Sequence, residues 1–113
     1  EQDIATASPH WDVRDVRTKA TALGLVLREA VERTFDENGA WDLRAEAAAI
    51  PVPTLLLTGD PEVFALVPPA LAEEIAAANP RLTYRTVPGA GHAPHRDRPA
   101  ETLSVVDDWL ARA

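Results

Sequence analysis

Two loops of this chain carry side chains that act as acids and bases in catalysis. Asp60 and Glu62 come just past the apolar run 54–58, and His92 comes after the predicted strand 82–87. A histidine removes a proton from a nucleophile as a general base, and a carboxylate on its far ring nitrogen fixes its tautomer and orientation. A carboxylate loop and then a histidine loop, each after a predicted strand, predict the acid–base half of a catalytic triad.

His92 stands in a loop of small residues, after Gly89, Ala90 and Gly91. Such residues let the backbone turn sharply and bring an imidazole close to another group. The alternative interpretation is an ordinary histidine of a surface loop. The predicted strand before it, the glycines and the upstream carboxylates together favour a general base. His95, three residues later, is interpreted as a rim residue of the same loop.

The identity of the acid stays open on chemical grounds. Asp60 and Glu62 both lie just past the first apolar run, and either carboxylate could orient the histidine. The alternative for Asp60 is a turn residue, because Asp followed by Pro often initiates turns. The alternative for Glu62 is a solvated loop charge. We expect one of the two to be the acid.

The sequence offers no matching nucleophile. It has no cysteine and no Gly-x-Ser-x-Gly motif, and its two serines, Ser8 and Ser104, have no flanking glycines. The three histidines do not have the spacing of a transition-metal site. The sequence therefore predicts a chain that supplies the base and the acid of a catalytic triad, while the nucleophile is not among its residues.

The chain changes character near Ile50. Before it, apolar residues recur at helical spacing from residue 13 to about 35, with Asp12 as N-cap and Gly24 as a possible break. A short helix is expected at 42–49. This part is predicted to consist of helices after an irregular lead-in at 8–12.

After Ile50 the pattern predicts an α/β fold. Strands are expected at 54–58 and 82–87, with a helix between them that Pro68-Pro69 opens and Asn79-Pro80 stops. A last helix is expected at 99–111. Its inward residues are predicted to be Leu103, Val106, Trp109 and Leu110. The charges at 96–98 are interpreted as a solvated cluster.

Two parallel strands do not form a stable sheet on their own. The pattern therefore predicts that the chain is incomplete or associates with another polypeptide or a second copy of itself. The first residue is Glu1 and not Met, which fits a processed product or a fragment.

Composition narrows the class of protein. The 113 residues are 46% hydrophobic and 26% charged, as in globular proteins, and nothing predicts a membrane span. A net charge of −7 argues against nucleic acid or an anionic membrane surface as partner. The absence of cysteine fits a reducing cytoplasm, and abundant Ala, Arg and Pro are typical of a high-GC bacterial genome.

From about residue 49 onward, the chain resembles the C-terminal part of the α/β-hydrolase superfamily. The resemblance rests on the segments 50–62 and 87–92 and on the closing helix with Trp109-Leu110. It implies the C-terminal portion of a mostly parallel α/β-hydrolase sheet at 50–113, preceded by a helical lid at 1–49.

The resemblance also implies roles for residues. His92 would be the triad histidine. The family acid commonly stands three residues after a glycine at the strand end, which from Gly59 is Glu62, with Asp60 as the runner-up. The implied activity is hydrolysis of an ester, amide or related bond of a small molecule, without metal or organic cofactor. The implied partner is the N-terminal half of the hydrolase. The competing hypothesis is a catalytically inactive truncated hydrolase that forms a homo-oligomer or interaction module.

Overall fold

The computed structural model describes residues 1–112. The chain splits into two compact units, Glu1–Asp42 and Leu43–Ala113. In chain order the elements are α1 (Gln2–Ala7), α2 (Val13–Leu25), α3 (Arg28–Asn38), α4 (Arg44–Ala48), β1 (Thr54–Gly59), α5 (Pro69–Ala78), β2 (Leu82–Val87), α6 (Pro94–Asp97) and α7 (Pro99–Leu110). No described helix has the length and apolarity needed to cross a membrane.

The first unit is helical, as predicted. The carboxylate of Asp12 caps α2 by accepting a hydrogen bond of 2.8 Å from the backbone N–H of Arg14. That hydrogen bond is the main reason why the pKa of Asp12 lies below its ordinary value. The expected break occurs after Gly24, because Val26 and Leu27 are extended and separate α2 from α3. Helix α1 was not predicted.

The second unit is built on two parallel strands in direct register, with Thr54 opposite Leu82 and Gly59 opposite Val87. Helix α5 connects them as the crossover that a parallel pair requires. The predicted strand positions are confirmed, and β1 extends one residue further, to Gly59. Because the strands run in register, their carboxyl ends stop at the same level and the two predicted catalytic loops leave the sheet side by side.

Buried Asn79 holds the start of this unit to the crossover. Its side-chain amide donates hydrogen bonds to the carbonyl oxygens of Ala47, at 2.9 Å, and Ile50, at 3.1 Å. Its side-chain oxygen accepts from the backbone N–H of Arg81 at 2.9 Å. The residue predicted only to stop a helix therefore ties α4 to the start of β2. The division between compact units accordingly falls before α4, and the assignment of 1–49 as lid and 50–113 as core stays a prediction.

The buried core is small, and much apolar surface is exposed. The buried apolar residues are Val16, Ala72, Leu82, Val87 and Ala90. The prediction that Leu103 and Leu110 face inward is wrong for the described residues, since they are 62% and 59% exposed. Helix α7 instead buries the side that carries Thr102, whose hydroxyl donates to the carbonyl oxygen of Pro94 at 2.9 Å. This hydrogen bond fixes the rotation of the helix.

Candidate active site

The acid loop and the histidine loop are bound to each other directly. The backbone N–H of Asp60 donates to the carbonyl oxygen of Ala90 at 2.7 Å. In return, Oδ2 of Asp60 accepts from the backbone N–H of Gly89 at 2.8 Å. Both hydrogen bonds join the residues that leave β1 to those that leave β2. The structure therefore brings together the two loops that the sequence singles out.

The second carboxylate oxygen of Asp60 orders its own loop. Oδ1 accepts from the backbone N–H of Glu62 at 2.9 Å, an arrangement typical of a turn residue. The hydrogen bonds from Gly89 and then from Glu62 hold the pKa of the Asp60 carboxyl below its ordinary value, against a smaller opposing effect of desolvation. Asp60 is thus an ionised clamp between the two loops.

This clamp makes a pH-dependent contribution to stability. Because the pKa of Asp60 is lower in the folded chain, its contribution is present above the unfolded value of about 4 and is lost as the pH falls through the folded value. We expect the free energy of unfolding to decline more steeply below about pH 5 for the unmodified chain than for Asp60→Asn. Urea denaturation at stepped pH measures this. Asp12 is unchanged in both proteins, and parallel curves would contradict the prediction.

Gly59 allows the loops to approach this closely. A Cβ atom at this buried residue would lie 2.7 Å from the carbonyl carbon of Gly91, closer still to its oxygen, and 2.9 Å from the carbonyl oxygen of Phe64. All of these atoms are backbone, which cannot move aside as a side chain would. The absence of a side chain at residue 59 is therefore what lets the histidine loop pack on the end of β1.

His92 projects to the surface beside the acid loop. Its imidazole meets the ring of Phe64 edge-on, with ring centroids 6.3 Å apart and planes at 82°. Glu62 is also exposed. Among residues 1–112, the imidazole of His92 forms no hydrogen bond with the carboxylates of Asp60 or Glu62. The exposed imidazole is accessible to a further group.

The histidine loop is also held from its far side, which the sequence analysis missed. Oδ2 of Asp97, at the end of α6, accepts from the backbone N–H of Gly91 at 2.8 Å. Nε of Arg98 donates to the carbonyl oxygen of Gly89 at 3.3 Å, and Gly89 has a positive φ of 70°. The interpretation of residues 96–98 as a solvated cluster is wrong, because two of them support the backbone on which His92 stands.

Removal of the Asp97 carboxylate should loosen this loop. In Asp97→Ala we expect the Gly91 amide, left without its acceptor, to exchange with solvent at least about tenfold faster. Hydrogen exchange followed by NMR measures the rate residue by residue. Asp107→Ala is the matched control, since Asp107 is an exposed carboxylate of α7. Equal Gly91 exchange in both variants would contradict a supporting role for Asp97.

The comparisons with known proteins identify the family of the chain. A model of the Alpha/beta hydrolase family matches residues 2–105. The chain belongs to the α/β-hydrolase family. A pimeloyl-[acyl-carrier protein] methyl ester esterase from Serratia marcescens is 28% identical over 110 residues, which are 97% of this chain and 42% of the relative. The chain therefore spans less than half the length of that esterase. No solved structure gave a significant match.

His95 lies within α6 and is exposed, as expected of a rim residue. In the described part of this α/β hydrolase, no group of three or more His, Asp or Glu side chains is placed to hold a metal ion. One sequence pattern could have revealed the support by Asp97. Proline is favoured at the start of a helix, so Pro94 marks a short helix, α6, that ends at the carboxylate of Asp97.

Proposed function

We propose that this chain supplies the base and the acid of a hydrolase that cleaves an ester, amide or related bond of a small molecule. His92 acts as the general base. One observation carries the proposal. Asp60 of the carboxylate loop forms two hydrogen bonds with the loop of His92, one through its own backbone N–H and one through its own side chain. Family membership supports hydrolysis as the reaction class.

Glu62 is the proposed triad acid, and Asp60 is the runner-up. Each carboxylate oxygen of Asp60 already accepts a backbone N–H, and those two hydrogen bonds hold the loops in place. Glu62 follows directly in the turn that Asp60 orders, and its side chain is exposed. We assign Asp60 to positioning the loops and Glu62 to orienting the imidazole.

The reaction requires a nucleophile beyond the residues of this sequence, which has no cysteine and no Gly-x-Ser-x-Gly. His92 would accept the proton of that nucleophile as it attacks the carbonyl carbon, and would donate the proton to the leaving group. With a serine nucleophile an acyl-enzyme forms. His92 then takes a proton from a water molecule as that water attacks the carbonyl carbon of the acyl-enzyme. The acid is released and the serine recovers its proton.

An ester is the first bond to test. The Serratia marcescens relative is named for the hydrolysis of a methyl ester. We further propose that residues 1–49 form a lid over the substrate and that residues 50–113 are the C-terminal portion of the hydrolase core. Exposed apolar side chains at Leu25, Leu27 and Phe35 in the first part would suit contact with an apolar acyl group.

The experiment that tests the function begins with the native mass of the purified protein and the denatured mass of each polypeptide in it. A second polypeptide that carries Gly-x-Ser-x-Gly, together with hydrolysis of short-chain p-nitrophenyl esters, would support the proposal. A single species of 12.2 kDa or a multiple of it, without ester or amide hydrolysis, would overturn it. That second result favours the inactive homo-oligomer, which the small core and the exposed apolar surface would permit.

A further inference from the structure

A groove runs between β2 and α7 near the amino ends of the strands. Its volume is about 420 Å³, which is in the range of sites for small organic molecules. It is formed by residues that precede the strands, by one side of β2 and by the last turns of α7: Pro53, Pro80, Arg81, Thr83, Arg85, Val105, Asp108, Trp109 and Arg112. All of these residues belong to the second compact unit.

The groove has apolar walls. Pro53 and Pro80 lie at one end, and Val105 and Trp109 contribute from α7. Trp109, which the sequence predicted to face inward, is only half-buried, so part of its indole lines the groove. Flat apolar groups of this kind favour a flat apolar ligand, because aromatic rings pack by offset stacking and edge contacts.

Two arginines of the groove have no acidic partner among residues 1–112. Neither Arg81 nor Arg85 forms an ion pair with a carboxylate in the described part of the chain, and Arg85 donates only to the backbone oxygen of Tyr84, at 2.7 Å. Arg112 is placed differently, since its guanidinium lies 3.8 Å from the carboxylate of Asp108. The lining of the groove therefore includes three arginines and one carboxylate, in a chain whose net charge is −7.

We propose that this groove binds a small aromatic carboxylic acid. The carboxylate would pair with the guanidinium groups of Arg81 and Arg85, whose planar donors match its two oxygens. The ring would rest against the indole of Trp109 and the prolines. The occupant is a small molecule because the groove has a volume of only about 420 Å³.

The groove lies at the opposite end of β2 from His92. The groove reaches along β2 only as far as Arg85, and His92 stands in the loop beyond Val87, where the strand ends. The binding proposal does not depend on the proposed hydrolase reaction, since none of the groove residues takes part in it. Failure of either proposal leaves the other standing.

The test is an NMR titration of the ¹⁵N-labelled chain with 2-naphthoate, followed at the indole N–H of Trp109. The uncharged analogue 2-naphthamide serves as the matched ligand. We expect saturable shifts with 2-naphthoate and at least about tenfold weaker binding of the amide, because the amide cannot pair with a guanidinium. Raising the salt concentration should weaken the binding of 2-naphthoate, since partly exposed charges are screened.

Variants locate the site. Arg81→Gln combined with Arg85→Gln should weaken the binding of 2-naphthoate at least about tenfold. Arg17→Gln combined with Arg28→Gln makes the same change in net charge with two exposed arginines of the first unit, and should leave binding unchanged. Equal binding of acid and amide to the unmodified chain, or absence of saturation at Trp109, would overturn the proposal. Equal losses in the two double variants would also overturn it, because net charge alone would then be responsible.

Discussion

Replacement of His92 by alanine should reduce the turnover of the assembled hydrolase by about 10³-fold or more, the scale of losing the base of a catalytic triad. The loss should appear in kcat, because the imidazole moves protons and does not hold the substrate. Folding should be unaffected, since the side chain is exposed and its one ring contact is edge-on to Phe64. Ester hydrolysis and the far-ultraviolet circular dichroism spectrum measure the two effects.

His95→Ala is the matched control. It removes a second exposed histidine three residues away, in α6, and should change turnover by less than about twofold. Substantial activity in His92→Ala would refute its role as base. A similar loss in both variants would show instead that the loop tolerates no substitution.

Gly59→Ala should destabilise the second compact unit by about 2–4 kcal/mol, at the upper end of the cost of overpacking. The new methyl group would lie 2.7 Å from the carbonyl carbon of Gly91 and 2.9 Å from the carbonyl oxygen of Phe64. Relief of these contacts requires the histidine loop to move away from β1. Urea denaturation followed by tryptophan fluorescence in a Trp11→Phe, Trp41→Phe background reports on Trp109, the one tryptophan that remains.

Gly24→Ala is the control, because it makes the same replacement of glycine by alanine where the methyl group has room. Gly24 lies in α2, and a Cβ atom there has no neighbour within 4 Å. Alanine at that residue should stabilise the helix by about 0.5–1 kcal/mol, because glycine is the poorer helix former. A Gly59→Ala protein as stable as the unmodified chain would mean that the loops are not in contact as described.

Local patterns predicted much of the fold. Both strands, the crossover helix and the last helix follow from local hydrophobic patterns bounded by proline, asparagine and glycine, whose backbone preferences act over a few residues. These local patterns did not predict which face of α7 is buried. Leu103 and Leu110 fit the helical spacing of an apolar face, yet the hydrogen bond of Thr102 to Pro94 turns the helix so that both are exposed.

The candidate site was predicted by residue type but not by contact. Asp60, Glu62 and His92 stand out because strands end before them, and parallel strands place such ends together. The clamp that Asp60 forms on Gly89 could not be inferred, because it joins a side-chain oxygen to a backbone N–H 29 residues away. The support from Asp97 was not predicted for a related reason. A charged residue near the start of a helix is expected to be solvent-exposed, and only the structure shows that this carboxylate accepts a hydrogen bond from the backbone N–H of Gly91.

The direct register of β1 and β2 has a consequence for sequence variation. Each residue of a strand adds about 3.3 Å to its length, so one residue inserted into either strand would displace the histidine loop from the carboxylate loop by that distance. The same insertion would turn every following side chain to the opposite face of the sheet. Homologous chains should therefore conserve the length of both strands, while insertions accumulate between them, in the crossover that the register does not constrain.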